Sequence, residues 1–183
     1  MILIPKEKHH NKALAMATNK SFNSKTMLEN GSGQYAGNLA EVIFASYLDY
    51  LRLEHEYTAK TSYHYDFKLG NATIDIKAKQ RTVVCSKEFD THVNLYQEKS
   101  PCHYYVFTSV LINKGEQLAS QVEFMGWCSK KDYWNTCNRT KKGDINEGHK
   151  EWEDAGKLKY HDLKAMPLLF TNLETHLYEC AFK

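Results

Sequence analysis

The sequence predicts an α/β fold in which a central mixed β-sheet is flanked by helices. Three observations support this prediction. An amphipathic helical pattern at residues 38–53 precedes a hairpin pattern at 65–77, and strand patterns follow at 104–112 and 121–128. A chain of 183 residues corresponds to one domain by length, so we expect a single domain spanning residues 1–183.

The N-terminal segment, residues 1–37, is predicted to form a short helix and a loop. The stretch from Glu7 to about Lys20 carries alanine, leucine and methionine at 13–17 among lysines and asparagines, which favours a helix. Asn30-Gly31-Ser32-Gly33 then has the composition of a loop.

The next helix is predicted to begin at Asn38, whose side chain can cap a helix N-terminus. Apolar residues recur at near-helical spacing as far as Leu53. Glu41 lies three residues after Asn38, which is the position of a capping-box glutamate. Capping the helix is therefore one role that the sequence offers for Glu41.

Residues 65–77 are predicted to form two strands joined by a two-residue turn at Gly70-Asn71. This turn places Asp66 opposite Asp75. Because side chains alternate between the faces of a strand, Asp66, Asp75 and Lys77 share one exposed face. The opposite, apolar face is a core face and consists of Phe67, Leu69, Ile74 and Ile76.

Two carboxylates on one face lie roughly 5 Å apart at Cβ, where like charges destabilise a sheet unless a positive charge lies between them. A divalent cation is the simplest such charge. Mg²⁺ prefers oxygen ligands, and a metal-bound water can attack a phosphodiester. Lys77 can orient or deprotonate that water, and the backbone carbonyl of Ile76 can supply a further ligand.

Asp66, eight intervening residues and then Asp75-Ile76-Lys77 resemble the motif of the PD-(D/E)XK nuclease superfamily, which has the restriction-endonuclease-like fold. The resemblance covers residues 38–81, which would form the catalytic core. It implies Asp66 and Asp75 as Mg²⁺ ligands, with Mn²⁺ as a substitute, Lys77 as the catalytic lysine, and Glu41 as a further ligand. Tyr65 stands where the family has its name-giving proline.

This resemblance implies a phage-type, Mg²⁺-dependent endonuclease that hydrolyses DNA, with a homodimer as the form that cuts both strands. The alternatives are a junction resolvase or nickase of the same fold, a nucleic-acid-binding protein without hydrolysis, and a protein whose acidic face meets a basic partner. A simpler interpretation makes Asp66 and Asp75 solvated charges, with Lys68 and Lys77 as their cross-strand partners.

A formal net charge of +2 does not by itself indicate a nucleic-acid partner, so local clusters must carry that prediction. Candidate phosphate contacts extend the second hairpin strand or lie later in the chain, and Tyr133 or Trp134 can stack on an unpaired base. These candidate contacts are Lys79, Gln80, Arg81, Lys130, Lys131, Arg139, Lys141 and Lys142.

The C-terminal part is predicted to contain a short helix after Ser129, an exposed excursion at residues 139–159, and a strand with a closing helix after Tyr160. No apolar run approaches the length of a membrane span, and the N-terminus lacks the apolar segment of a secretory signal. We therefore expect a cytoplasmic protein without membrane contact, in the host cell if phage-encoded. Five widely spaced cysteines favour free thiols.

Overall fold

The computed structural model describes residues 1–18, 32–58, 64–146 and 149–170. The helices are α1 (Glu7–Thr18), α2 (Ser32–Tyr50) and α3 (Lys130–Thr136). The strands are β1 (Ile2–Leu3), β2 (Glu56–Tyr57), β3 (Phe67–Leu69), β4 (Ala72–Arg81), β5 (Val93–Asn94), β6 (Tyr104–Leu111), β7 (Gln121–Ser129), β8 (Asn138–Thr140), β9 (Ile145–Asn146), β10 (His149–Lys150) and β11 (Ala155–Lys157).

The central sheet has six strands in the order β1-β7-β6-β4-β3-β2. β4 pairs with β6 in parallel, and the other neighbouring strands pair antiparallel, so the sheet is mixed. A second sheet, in the order β5-β11-β8, has three strands, and β9 and β10 form a separate pair. The predicted α/β class, with a mixed sheet and flanking helices, is confirmed at this level. The strand predictions at 104–112 and 121–128 correspond to β6 and β7.

The hairpin register is confirmed for three pairs: Phe67 with Ile74, Lys68 with Thr73, and Leu69 with Ala72. Gly70 adopts the left-handed conformation that the turn needs, with φ 55°. Asp66 does not continue the ladder opposite Asp75. Its backbone N–H donates instead to the carbonyl of Ile74 at 2.9 Å, so the chain leaves the regular pairing one residue before β3.

The second helix begins at Ser32 and not at Asn38. The predicted loop at Ser32-Gly33 is therefore wrong, while Asn30-Gly31 lies outside the described residues. Tyr35 and Ala36 are buried, which explains why the helix includes this turn. Asn38 is buried within α2, and its side-chain amide donates to the carbonyl of Ala13 in α1 at 3.3 Å. The predicted cap at Asn38 and the capping-box role for Glu41 are therefore both wrong, because both residues lie within the helix.

The central sheet is covered on both faces. One face packs against α1 and α2 in a core that includes Leu39, Phe44, Phe67, Ile74 and Trp127. The other face packs against α3, the small sheet and the 3₁₀ turn at Tyr160–Asp162, in a second core that contains Tyr105, Phe107, Tyr133, Trp134 and Tyr160. Residues of β4 therefore point into two different buried layers.

The segment 139–159 supplies part of this second layer. It contains β8 to β11, and Thr140, Glu151 and Ala155 are buried. The prediction of an exposed excursion is wrong for these residues, although 141–145 are exposed as expected. The polar composition is misleading here because Glu151 is paired with Lys157 inside the fold.

The C-terminal predictions are met in part. Ser129 caps α3, since its hydroxyl accepts the N–H of Asp132 at 3.0 Å. Lys164 forms an isolated bridge with Trp127 in place of a full strand, and residues 166–170 are helical. Gly126 makes this approach possible, because a Cβ there would lie 2.7 Å from the carbonyl oxygen of Lys164.

The described cysteines are free thiols, as predicted: Cys85, Cys102, Cys128 and Cys137. Cys180 lies outside the described residues. A separate finding concerns the membrane: none of the described helices is long and apolar enough to cross one.

Candidate acidic site at the hairpin

Asp75 and Lys77 occupy alternate positions of β4, on the side opposite the apolar residues Ile74 and Ile76. The Asp75 carboxylate lies 2.6 Å from Lys77 Nζ, and their side chains are 11% and 13% exposed. The expected exposed face is therefore wrong, because the second layer covers it. The interpretation of Asp75 as a solvated charge fails for the same reason.

Asp66 lies where the chain enters the hairpin. Its Oδ2 accepts the backbone N–H of Ile76 at 2.7 Å. The N–H and C=O of one strand residue point toward the same edge of the strand, so the Ile76 carbonyl faces the edge that Asp66 occupies. Asp66 thus binds β4 through its side chain where the regular ladder ends.

Glu41 reaches the same region from α2 and is buried. Its Oε2 accepts a hydrogen bond of 2.5 Å from the hydroxyl of Tyr57, a residue of β2. Burial, followed by the charge of Glu41, raises the pKa of Tyr57 well above its usual range. The sequence interpretation missed Tyr57. Its pairing with Phe67 depends on the β2–β3 contact, which no local spacing indicates.

The three carboxylates interact electrostatically. Burial raises the pKa of Asp66 well above its ordinary value, and the charges of Glu41 and then Asp75 raise it further. The hydrogen bond from Ile76 and the charge of Lys77 oppose these effects without cancelling them. The structure therefore brings the carboxylates of Glu41 and Asp75 within electrostatic range of Asp66.

Lys77 is the cation within this site. Burial alone would lower the pKa of Lys77, but the charge and hydrogen bond of Asp75, together with the charge of Asp66, outweigh burial and raise it. The ammonium also lies 5.5 Å from the centroid of the Tyr105 ring. Lys77 is therefore held in its protonated form, as a hydrogen-bond donor and not as a base.

The donor types suit a hard divalent cation, since carboxylate and carbonyl oxygens are the ligands that Mg²⁺ prefers. In the arrangement seen here, however, no group of three or more His, Cys, Asp or Glu side chains in the described ranges is placed to hold a metal ion. A cation would compete with Lys77 for Asp75 and with Tyr57 for Glu41. The residues fit the ion by chemistry, and one oxygen of each carboxylate already has a partner within the protein.

The candidate phosphate contacts at the end of β4 lie close together. Lys79, Gln80 and Arg81 line one pocket. The Arg81 guanidinium lies 4.6 Å from the centroid of the Phe89 ring and donates to the Asp90 carbonyl at 3.4 Å. Arg81 is thus partly engaged within the fold, whereas Lys79 is available to the pocket.

The later basic residues divide into engaged and exposed ones. Lys130 Nζ donates to the carbonyl of Ser100, and Arg139 forms two hydrogen bonds with Glu98, of 2.8 and 2.6 Å. The remaining three are exposed, and they are Lys131, Lys141 and Lys142.

The two aromatic residues of α3 are core residues. Tyr133 is fully buried and donates to the Gly156 carbonyl at 2.6 Å, while Trp134 donates to the Tyr105 hydroxyl at 3.2 Å. The prediction that either residue stacks on an unpaired base is therefore wrong. Their contacts to β6 and β11 are long-range, so the α3 sequence could not indicate them.

Comparison of the chain with protein-family models, curated proteins and solved structures found no match. A function must therefore be argued from the residues of the site.

Proposed function

We propose that this protein is a metal-dependent deoxyribonuclease whose site consists of Glu41, Asp66, Asp75 and Lys77. The supporting observation is geometric: Lys77 Nζ lies 2.6 Å from the Asp75 carboxylate, and the Asp66 carboxylate accepts the backbone N–H of Ile76 between them. Burial, followed by the charges of Glu41 and Asp75, raises the pKa of Asp66 at this position. Buried carboxylates are costly for folding unless cations compensate their charge, and strongly perturbed pKa values are typical of functional sites.

Each residue has a role in this proposal. Glu41, Asp66, Asp75 and the Ile76 carbonyl would hold Mg²⁺ or Mn²⁺. The bound ion would supply an activated water and stabilise charge on the scissile phosphate. Lys77, kept protonated by Asp75, donates a hydrogen bond to the water or to a phosphate oxygen. The N–H of Ile76 orients the Asp66 carboxylate.

The proposal includes the finer assignments that the sequence motif suggests. These are a restriction-endonuclease-like version of the mixed sheet, endonucleolytic cutting of DNA, a cytoplasmic location and a homodimer for double-strand cutting. The mixed sheet with flanking helices is compatible with the first of them.

A nucleic-acid-binding protein without hydrolysis is the second candidate. One observation favours it: each carboxylate already has an internal partner, namely Lys77, the Ile76 N–H or the Tyr57 hydroxyl. In that case the hydrogen bonds of the carboxylates hold α2, β2 and β4 together, and the carboxylates take no part in catalysis.

Cleavage assays distinguish the two candidates. Supercoiled plasmid, single-stranded DNA, branched DNA and RNA are incubated with Mg²⁺, Mn²⁺ or EDTA. We compare wild type with Asp75→Asn, Lys77→Met and the control Lys68→Met, which alters an exposed lysine of the same hairpin. We expect metal-dependent cutting of DNA that falls at least about 100-fold in the first two variants and is unchanged in the control.

Circular dichroism and urea unfolding show whether each variant is folded. Undiminished cutting by folded Asp75→Asn would contradict the site. Absence of cutting under every condition, combined with salt-sensitive DNA binding, would favour the second candidate. Calorimetry tests the metal directly: equal Mn²⁺ uptake by wild type and Asp66→Asn would exclude Asp66 as a ligand.

A further inference from the structure

A pocket of about 570 Å³ opens at the end of β4, beyond the acidic site. Its walls come from the last residues of β4, from the segment that follows β4, and from the chain between β10 and β11. The residues that matter for its chemistry are Lys79, Arg81, His92, Lys150, Trp152 and Lys157.

The pocket carries an excess of positive charge. Four of its lining residues are lysine or arginine, and the two carboxylates among them, Asp90 and Glu151, are already paired with Lys159 and Lys157. Burial lowers the pKa of Lys79, and the charges of Arg81 and Lys157 lower it further. Lys79 forms no ion pair with any residue in the described part of the chain. The charges of Asp90 and Glu151 oppose this lowering without cancelling it, so an anion placed here would relieve the remaining repulsion.

Trp152 gives the pocket an exposed aromatic wall. Its side chain is 56% exposed, whereas Trp127 and Trp134 are 2% and 7% exposed. The indole lies parallel to the His92 ring, with 6.1 Å between centroids and 5° between planes. His92 is itself fixed, because its Nε2 lies 2.9 Å from Glu153 Oε1. A positioned indole at the rim of a cationic pocket suits a ligand that combines a flat ring with negative charge.

The pocket is also aligned with the acidic site. Lys79 follows Lys77 on the same side of β4, and two residues of a strand span about 6.6 Å. Lys79 therefore places the pocket one strand step beyond the ion pair of Asp75 and Lys77, at the open end of β4.

We propose that this pocket binds one unpaired nucleotide, with the base against Trp152 and the phosphate against Lys79 and its neighbouring cations. That the nucleotide belongs to the strand being cut rests on the proposed function, whereas its binding does not. The preferred substrates then contain unpaired nucleotides next to the scissile bond, as single strands, flaps and branch points do, and continuous duplex is a poorer ligand.

Binding is measured in EDTA, where no metal-dependent cutting occurs, by anisotropy of a labelled thymidine oligonucleotide. We compare wild type with Trp152→Leu and Trp152→Phe, and with Tyr96→Leu as a control at another exposed aromatic side chain. Trp152→Leu should weaken binding about 5- to 100-fold, the range for loss of one base-stacking contact, and Trp152→Phe less. Tyr96→Leu should bind like wild type.

The phosphate contact has a separate readout. Lys79→Gln should reduce the slope of log K against log salt by about 0.7, the value for one phosphate contact on a single strand. Lys114→Gln, which removes an exposed charge from the β6–β7 connection, should leave the slope unchanged. An unchanged slope in Lys79→Gln would overturn the phosphate assignment.

Competition experiments identify the source of the nucleotide. Thymidine monophosphate that competes as strongly as the oligonucleotide would overturn the assignment to a strand, in favour of a free nucleotide. Duplex that binds as tightly as the single strand, with the same loss in Trp152→Leu, would overturn the requirement for an unpaired base. Wild-type affinity in a folded Trp152→Leu protein would overturn the pocket altogether.

The pocket and the nuclease can fail separately. Weakened binding by Trp152→Leu without cutting by any form of the protein would support the pocket and reject the nuclease. If Trp152→Leu changes neither metal-dependent cutting nor DNA binding, the nuclease would be supported and the pocket rejected.

Discussion

The two sides of β4 use the same ten residues for different purposes. On one side, Ile74 and Ile76 pack with Phe67 and Leu69 beneath α2. On the other side, Asp75 and Lys77 lie in a buried layer and form an ion pair. Because neighbouring residues of a strand face opposite ways, the apolar side of β4 is kept apart from the side that carries the ion pair.

The difference also lies in how each side tolerates burial. Apolar side chains gain free energy when they leave water, whereas buried charges must be paired to be tolerated. The second layer, with Tyr105 and Phe107 beside the ion pair, excludes water and strengthens every electrostatic interaction there. A substitution that removes one charge on the polar side therefore costs stability by leaving its partner buried and unpaired.

The largest expected loss of stability comes from truncating a buried side chain on the apolar side. Phe67 is fully buried, and its ring lies 5.1 Å from that of Phe44 and 5.2 Å from that of Tyr57. Phe67→Ala should lower the free energy of unfolding by about 3–5 kcal/mol, through lost burial and the cavity that remains. Urea unfolding measures the change, with the exposed neighbour Lys68→Ala as control. Loss of less than 1 kcal/mol would mean that the hairpin does not pack as described.

A smaller loss is expected from breaking the ion pair on the polar side. Lys77→Met should cost about 3 kcal/mol, near the lower end for a buried pair, because Asp75 then lacks its ion-pair partner and Asp66 the nearby positive charge. Asp75→Asn should cost less, since the charge of Asp66 still favours Lys77. The double variant should be more stable than Lys77→Met alone. Additive losses in urea unfolding would show that the two residues do not interact.

The smallest expected effect is the dependence of stability on pH that Asp66 gives to the polar side. The pKa of Asp66 is raised in the folded protein, so the folded state binds more protons than the unfolded state between the unfolded and folded pKa values. The contribution of Asp66 is therefore fully present below about pH 4 and is lost as the pH rises through its folded pKa. Asp66→Asn should remove this pH dependence and be more stable than wild type at neutral pH.

Urea unfolding from pH 4 to pH 8 checks this expectation, with Glu54→Gln as control at an exposed carboxylate. Mg²⁺ should reduce the same pH dependence in wild type if the ion binds the carboxylates. An identical pH profile for Asp66→Asn and wild type would show that folding does not raise the pKa of Asp66.

Local pattern was sufficient to predict most elements near the site. The alternation of Phe67, Leu69, Ile74 and Ile76 predicted a core face, and the Gly70-Asn71 turn predicted the register. The spacing of Asp75 and Lys77 predicted that they would share a side. Each of these depends on residues within a few positions of one another, where strand geometry leaves few choices.

The remaining features depend on contacts that are distant in sequence. Asn38 looks like a cap, but contact with α1 makes it a buried residue within a longer helix. The polar segment 139–159 reads as solvent-exposed, yet Ala155 pairs with Asn94 and Thr140 in the small sheet. Tyr57 contacts Glu41 and Trp152 stacks on His92, and a single sequence reveals neither contact. Burial of the acidic side could not be predicted for the same reason.

The outer strands of the central sheet bear on self-association. β1 and β2, which lie at its two ends, each contain two residues. Short edge strands offer few free backbone groups for another sheet to pair with, which protects a β-protein against edge-to-edge aggregation. A dimer that continued this sheet across a two-fold axis would have only such a short strand on each side. If two copies do act together on both strands of a duplex, the described residues of β1 and β2 offer little backbone to their contact.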